Sequence, residues 1–176
     1  MYTVRCFRNI EQLDPLFAEG VRLTVKRKST LEETRVSGNW SMYLWAGHAH
    51  IASKSGDCHE IYIPAYTREH FPKETVEWIL KDQQETILHE FIHLFNKRHT
   101  WSLAFLRKCE PWQFAKYERS VDNHAELLLR RDPGLLAQII KKLSVLNTCS
   151  ITFEVVGTPI YGYCQGLAGL QQAIRE

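Results

Sequence analysis

The chain has 176 residues, a net charge of +2, 44% hydrophobic residues and 24% charged residues. That length suits one domain with a sizeable core, and residues 1–176 are expected to fold as a single unit. The balanced charge removes the electrostatic case for nucleic acid, and no stretch approaches the roughly 18 apolar residues that a membrane helix needs.

The basic runs Lys26-Arg27-Lys28 and Arg130-Arg131 are short enough to be solvated faces. The stretch MYTVRCFRNIEQLDP lacks the apolar segment of a secretory leader, so none is expected. Five cysteines, Cys6, Cys58, Cys109, Cys149 and Cys164, are odd in number and form no CxxC pair. A disulfide framework and a thiolate metal site are both disfavoured, and free thiols in a reducing cytoplasm are expected.

In chain order, Asn9 to Glu19 suits a short helix. Val21 to Lys28 (VRLTVKRK) alternates and is rich in β-branched residues, which predicts a strand. Asn39 to Ala52 predicts a second strand. HEIYIPAY predicts a third, which Pro64 confines most simply to a sheet edge. The period then changes. Pro72 stands where a first helical residue would, and Lys73 to Asn96 is free of glycine and proline. Pro111 opens a helical stretch that runs through Leu129, Asp132-Pro133-Gly134 breaks it, and LLAQIIKKLSVL resumes. Ser150 to Val156 predicts a late strand, and the tail from Leu167 a short helix. Strands first, helices after and one late strand indicate an α+β fold.

The segment Thr86 to His99, TILHEFIHLFNKRH, contains HEFIH, an instance of HExxH. On a helix, residues four apart share a face, so His89 and His93 present two imidazole nitrogens to one point. Glu90 lies about 100° round the helix, in reach of a water at that point without being a ligand itself. Two neutral imidazoles, one carboxylate and an open position make the donor set of catalytic Zn2+. Ile87, Leu88, Phe91, Ile92, Leu94 and Phe95 surround these polar residues, as in a central helix carrying a wetted site rather than in a surface helix.

Two residues compete for the place of third ligand. His99 completes HExxHxxNxxH, the metzincin spacing with Asn96 in place of glycine, and asparagine suits a left-handed helix stop there. Metzincins also place a methionine downstream of that histidine, whereas the methionines here are Met1 and Met42, both upstream. The alternative is Glu118, which shares a helical face with Val121, Asp122 and Ala125. A helix packing these small residues against the HExxH helix would carry Glu118 to the metal. Asp122, one turn on, would accept a hydrogen bond from the outer nitrogen of a ligand histidine.

The segment ERSVDNHAELLLRRDP, following HEFIH, resembles the second motif of the ImmA/IrrE family of zinc peptidases, ExxA(N/D)xFAxxLL. The match holds at Glu118, Asp122, Ala125, Leu127, Leu128 and Pro133, while Val121 replaces the usual alanine and His124 the usual phenylalanine. The resemblance spans roughly Glu60 to Pro133. It implies a zincin-like fold, with a small, mostly antiparallel sheet packed on a central HExxH helix and a second, ligand-bearing helix. It implies His89, His93 and Glu118 as zinc ligands, Glu90 as general base, and a cytoplasmic enzyme that cuts a protein or peptide substrate such as a repressor. The connection from Lys73 to Gln84 is long for that family, and no helix-turn-helix is evident.

The expected reaction is hydrolysis of a peptide bond by a metal-activated water, with Glu90 taking its proton. His124, Tyr117 and His99 are candidates either for the donor that stabilises the developing oxyanion or for a group hydrogen-bonded behind a metal ligand. HEIYIPAY is expected to offer an edge to which a substrate strand adds. The competing function is a non-proteolytic, zinc-binding interaction domain with a structural site, closed by a fourth ligand such as His99; a base at Glu90 would then be superfluous. His48 and His50 are expected on the polar face of a strand, and His59 and His70 at the surface. Trp40, Trp45, Trp78, Trp101 and Trp112 are expected to pack in the core or between helices.

Overall fold

The computed structural model describes residues 3–27, 47–53, 56–65, 73–98, 100–145, 150–155 and 158–161. A 3-10 turn, Ile10–Leu13, leads into helix α1, Asp14–Glu19, and strand β1, Val21–Arg27. Strands β2, Gly47–Ser53, and β3, Gly56–Ala65, follow. Four helices come next: α2, Val76–Phe95; α3, Thr100–Cys109; α4, Pro111–Arg131; and α5, Leu135–Val145. Strands β4, Ser150–Val155, and β5, Thr158–Tyr161, are the last described elements.

The small, mostly antiparallel sheet expected from the family resemblance is not what forms. Helix predominates over strand, and the strands make a mixed sheet in the order β2-β3-β1-β4-β5. β1 runs parallel to both of its neighbours, with Leu23 opposite Ile61 of β3 and Ile151 of β4. Only the outer pairs, β2 with β3 and β4 with β5, are antiparallel. β3 and β4, which run the same way on either side of β1, are joined through four helices, a crossover long enough to return the chain in the same direction. Alternation within a strand marks its buried face but carries no information on the direction of its neighbour.

β3 is therefore not an edge strand, as Pro64 had suggested, but lies between β2 and β1. Pro64 is tolerated because β2 pairs with β3 only as far as Tyr62, so the proline sits beyond that ladder among the described residues. The expected second strand is described only from Gly47, and the side chains of His48 and His50 lie outside the described residues, as do His70, Trp40, Trp45 and the tail from Leu167. Helix α3 has no counterpart among the elements expected from the sequence. Its sequence, TWSLAFLRKC, is short and opens on no capping signal that the spacing made evident, and the helix is held by packing against α4 and β2.

The core is continuous. Val21 and Leu23 from β1 and Ile61 from β3 meet Leu88, Phe91 and Ile92 of α2, Val121, Ala125 and Leu128 of α4, and Ile139, Ile140 and Leu143 of α5. Of the tryptophans expected in the core or between helices, Trp112 is 82% exposed and Trp78 41% exposed, so neither is in the core. His59, expected at the surface, is buried, with its Nε2 2.6 Å from Glu19 Oε2.

Helix α2 starts later than Pro72 suggested. Thr75 is its N-cap, with extended backbone and a hydroxyl that accepts a hydrogen bond from the Trp78 amide. Its C-terminal end also differs from expectation. Asn96 caps the helix, but Lys97 takes the left-handed conformation, with φ 55°. The Lys97 amide donates to the Leu94 carbonyl and the Arg98 amide to the His93 carbonyl, the paired closure of a Schellman end. Asn96 is then free to reach sideways. Its Nδ2 donates to the Arg5 and Ile92 carbonyls, and its Oδ1 accepts from the Arg5 amide.

A lysine with positive φ carries a steric cost that glycine avoids, so Lys97→Gly should stabilise the fold by about 1 kcal/mol. In thermal unfolding this should appear as a rise of about 2–4 °C; an unchanged or lower midpoint would contradict the left-handed closure.

Candidate metal centre

The last three turns of α2 are buried on nearly every side, which is unusual for a segment carrying His89, Glu90 and His93. His93 and Glu90 are almost inaccessible, and His89 is only slightly open. Buried polar groups of this kind need partners. Helix α4 supplies them. Val121 and Ala125 bring it close to α2, and this places Glu118 and Asp122, on the same face, beside the two histidines.

The Nε2 atoms of His89 and His93 are 2.8 Å apart. Glu118 faces both: its Oε2 is 3.3 Å from His89 Nε2 and its Oε1 3.2 Å from His93 Nε2. Glu118 Oε1 is buried yet has no well-directed hydrogen bond. Glu90 Oε1 stands 4.0 Å from His89 Nε2, beside this set rather than within it. On the outer side, His89 Nδ1 is 2.7 Å from Asp122 Oδ1, although the Asp122 side chain is 68% exposed.

Electrostatics follow from this geometry. Burial disfavours a charged His89, but the hydrogen bonds of Asp122 and Glu118 outweigh it and push its pKa up to about 10. Burial dominates at His93 and lowers its pKa, so His89 takes up an added proton more readily than His93 does. Burial likewise acts against an ionised Glu118, yet the two imidazoles hold its carboxyl well below the usual range. Burial raises the Tyr117 phenol, which keeps its proton.

His89, His93 and Glu118 can offer one ligand atom each, all within 4.8 Å of one another. Three donors each about 2.1 Å from a tetrahedral ion would lie roughly 3.4 Å apart, close to the two histidine–glutamate separations. Two inward imidazole nitrogens, an ionised carboxylate and a buried carboxylate oxygen without a directed donor fit a divalent cation.

The sequence candidates thus divide. His89, His93 and Glu118 converge, Glu90 lies beside them, and Asp122 backs His89. His124 does not join them: its Nδ1 lies 2.6 Å from the Ser120 carbonyl oxygen on its own helix. Tyr117 approaches His93 from the outer, Nδ1 side, not from the pocket side expected of an oxyanion donor. His99 lies outside the described residues. Spacing alone did not reveal the acidic neighbour Asp82, whose carboxyl is pushed up by burial and by Glu85 and Asp122.

Comparison with known proteins gives no match: no family model, no curated protein and no solved structure matches the chain. No helix among the described residues is long and apolar enough to cross a membrane.

Replacing Glu118 with alanine should abolish stoichiometric zinc binding, whereas Asp122→Asn should weaken it by about 10- to 100-fold. Chelator competition followed by metal analysis distinguishes the two; full zinc retention by Glu118→Ala would rule out the two-helix site.

Proposed function

We propose that the chain is a zinc-dependent endopeptidase that hydrolyses a peptide bond in a protein or peptide substrate. The observation that carries this reading is the position of Glu118, whose two carboxylate oxygens face the two histidines from a separate helix while Glu90 stays beside the set. The resemblance of ERSVDNHAELLLRRDP to the ImmA/IrrE peptidases directs the reaction towards a peptide bond and makes a regulatory protein, such as a repressor, the substrate class to try first.

His89, His93 and Glu118 would hold the ion. Zinc bound by such a set supplies Lewis acidity, drawing the pKa of a water towards about 7 and polarising a carbonyl. The rest falls to the chain. Glu90, buried and set back from the ligand atoms, is placed to take a proton from the attacking water and hand it to the departing amine. Asp122 accepts the Nδ1 hydrogen of His89, which keeps the lone pair of Nε2 directed inward. The apolar side chains of α2 exclude bulk water from behind the site, so a proton transferred to Glu90 is not readily lost.

Substrate addition to β3 has no place in this mechanism, because both sides of that strand are already paired.

Glu90→Gln should keep zinc at the wild-type stoichiometry and lower turnover by about 10²- to 10⁴-fold. A quenched-fluorescence peptide library, read beside metal analysis, provides the test. Cleavage at the wild-type rate by Glu90→Gln would refute the assignment of the base, and no metal-dependent cleavage by the wild type of peptides or candidate repressors would refute the peptidase reading.

A further inference from the structure

We infer that Tyr117 is a positioning residue for the metal centre: its phenol oxygen accepts the Nδ1 hydrogen of His93 and so holds the Nε2 lone pair towards Glu118. The inference rests on the metal-site reading above and extends it to a group that no ligand spacing identifies.

The two rings are both buried, so neighbours rather than water set the orientation of His93. Its Nε2 is the pocket nitrogen, close to both His89 and Glu118. Its Nδ1 lies 3.4 Å from the Tyr117 hydroxyl, and the rings stack with centroids 5.4 Å apart and planes 26° from parallel. Stacking restrains the tilt of the imidazole, and the hydroxyl restrains its rotation. A neutral imidazole in solution can carry its hydrogen on either nitrogen. Only the Nδ1-protonated form both donates to Tyr117 and leaves a ligand lone pair on Nε2.

The two histidines are backed differently, and charge explains the difference. Asp122 can back His89 because its carboxylate reaches solvent. His93 lies deeper, near Glu90 and Glu118, where a third carboxylate would add an uncompensated buried charge. A phenol accepts the same hydrogen bond without that charge. Helix α4 delivers both groups from consecutive positions, since Tyr117 and Glu118 point about 100° apart.

A separation of 3.4 Å is long for a hydrogen bond, so the effect should lie near the lower end of the range for outer partners of metal ligands. Tyr117→Phe keeps the ring and removes only the acceptor. We expect it to retain the wild-type circular dichroism and to bind zinc about tenfold more weakly in competition with a chromophoric chelator. Equal affinity in a folded Tyr117→Phe protein would overturn the inference while leaving the zinc site standing. Absence of zinc binding in the wild type would overturn the zinc site itself, and the inference with it. A second measurement needs no variant: ¹⁵N shifts of His93 in the metal-free wild type should show hydrogen on Nδ1 and none on Nε2. The opposite tautomer would overturn the inference even if Tyr117→Phe failed to fold.

Discussion

Burying polar side chains on a helix at the centre of the core is the constraint around which the molecule is arranged. His89, Glu90 and His93 occupy the last turns of α2, where apolar neighbours leave little access to water. Left alone, each would cost several kcal/mol. The cost is offset because α4 crosses α2 with small residues at the contact and presents Tyr117, Glu118 and Asp122 to the imidazoles. Packing and chemistry are thus the same arrangement: Val121 and Ala125 allow the close approach, and the residues between and before them supply the partners.

Much of this site was legible because helical periodicity is a local property. The spacing of His89 and His93 requires them to share a face, and the spacing of Glu118, Val121, Asp122 and Ala125 requires the second helix to present small and acidic residues together. Two helices with complementary faces in one short chain then have few ways to pair. Tyr117 was less legible. It was visible as a neighbour of Glu118, but which nitrogen of His93 it meets depends on the crossing of α2 and α4, which no periodicity records. His124 looked equally eligible by proximity in sequence, yet its place on α4 turns it back to the Ser120 carbonyl.

The sheet was harder to read for a related reason. Val21 and Leu23 announce a strand with a buried face, but they are silent on whether a partner runs with or against it. Parallel pairing on both sides of β1 depends on connections that run well beyond the strand itself, among them the helical crossover between β3 and β4. The end of α2 shows the same limit on a smaller scale. Asparagine is the better left-handed residue by intrinsic preference, yet Lys97 takes that conformation while Asn96 bonds to Arg5. Three hydrogen bonds from one amide outweigh a steric penalty of roughly 1–2 kcal/mol on its neighbour.

The bond between Arg5 and Asn96 also has a consequence for the order of events during folding. It joins residues 91 apart in sequence, and the Arg131 guanidinium reaches the Arg8 carbonyl across 123 residues. β1, although early in the chain, waits for β4 to cover its second side. Contacts of such long range are reached only after the intervening chain has been ordered, which slows folding. During synthesis the first residues therefore leave the ribosome long before the helices they fasten, and Arg5 must wait for Asn96 before it can brace the metal-binding end of α2. A growing chain exposes the HExxH helix before α4, which carries Glu118 and Asp122, has been made.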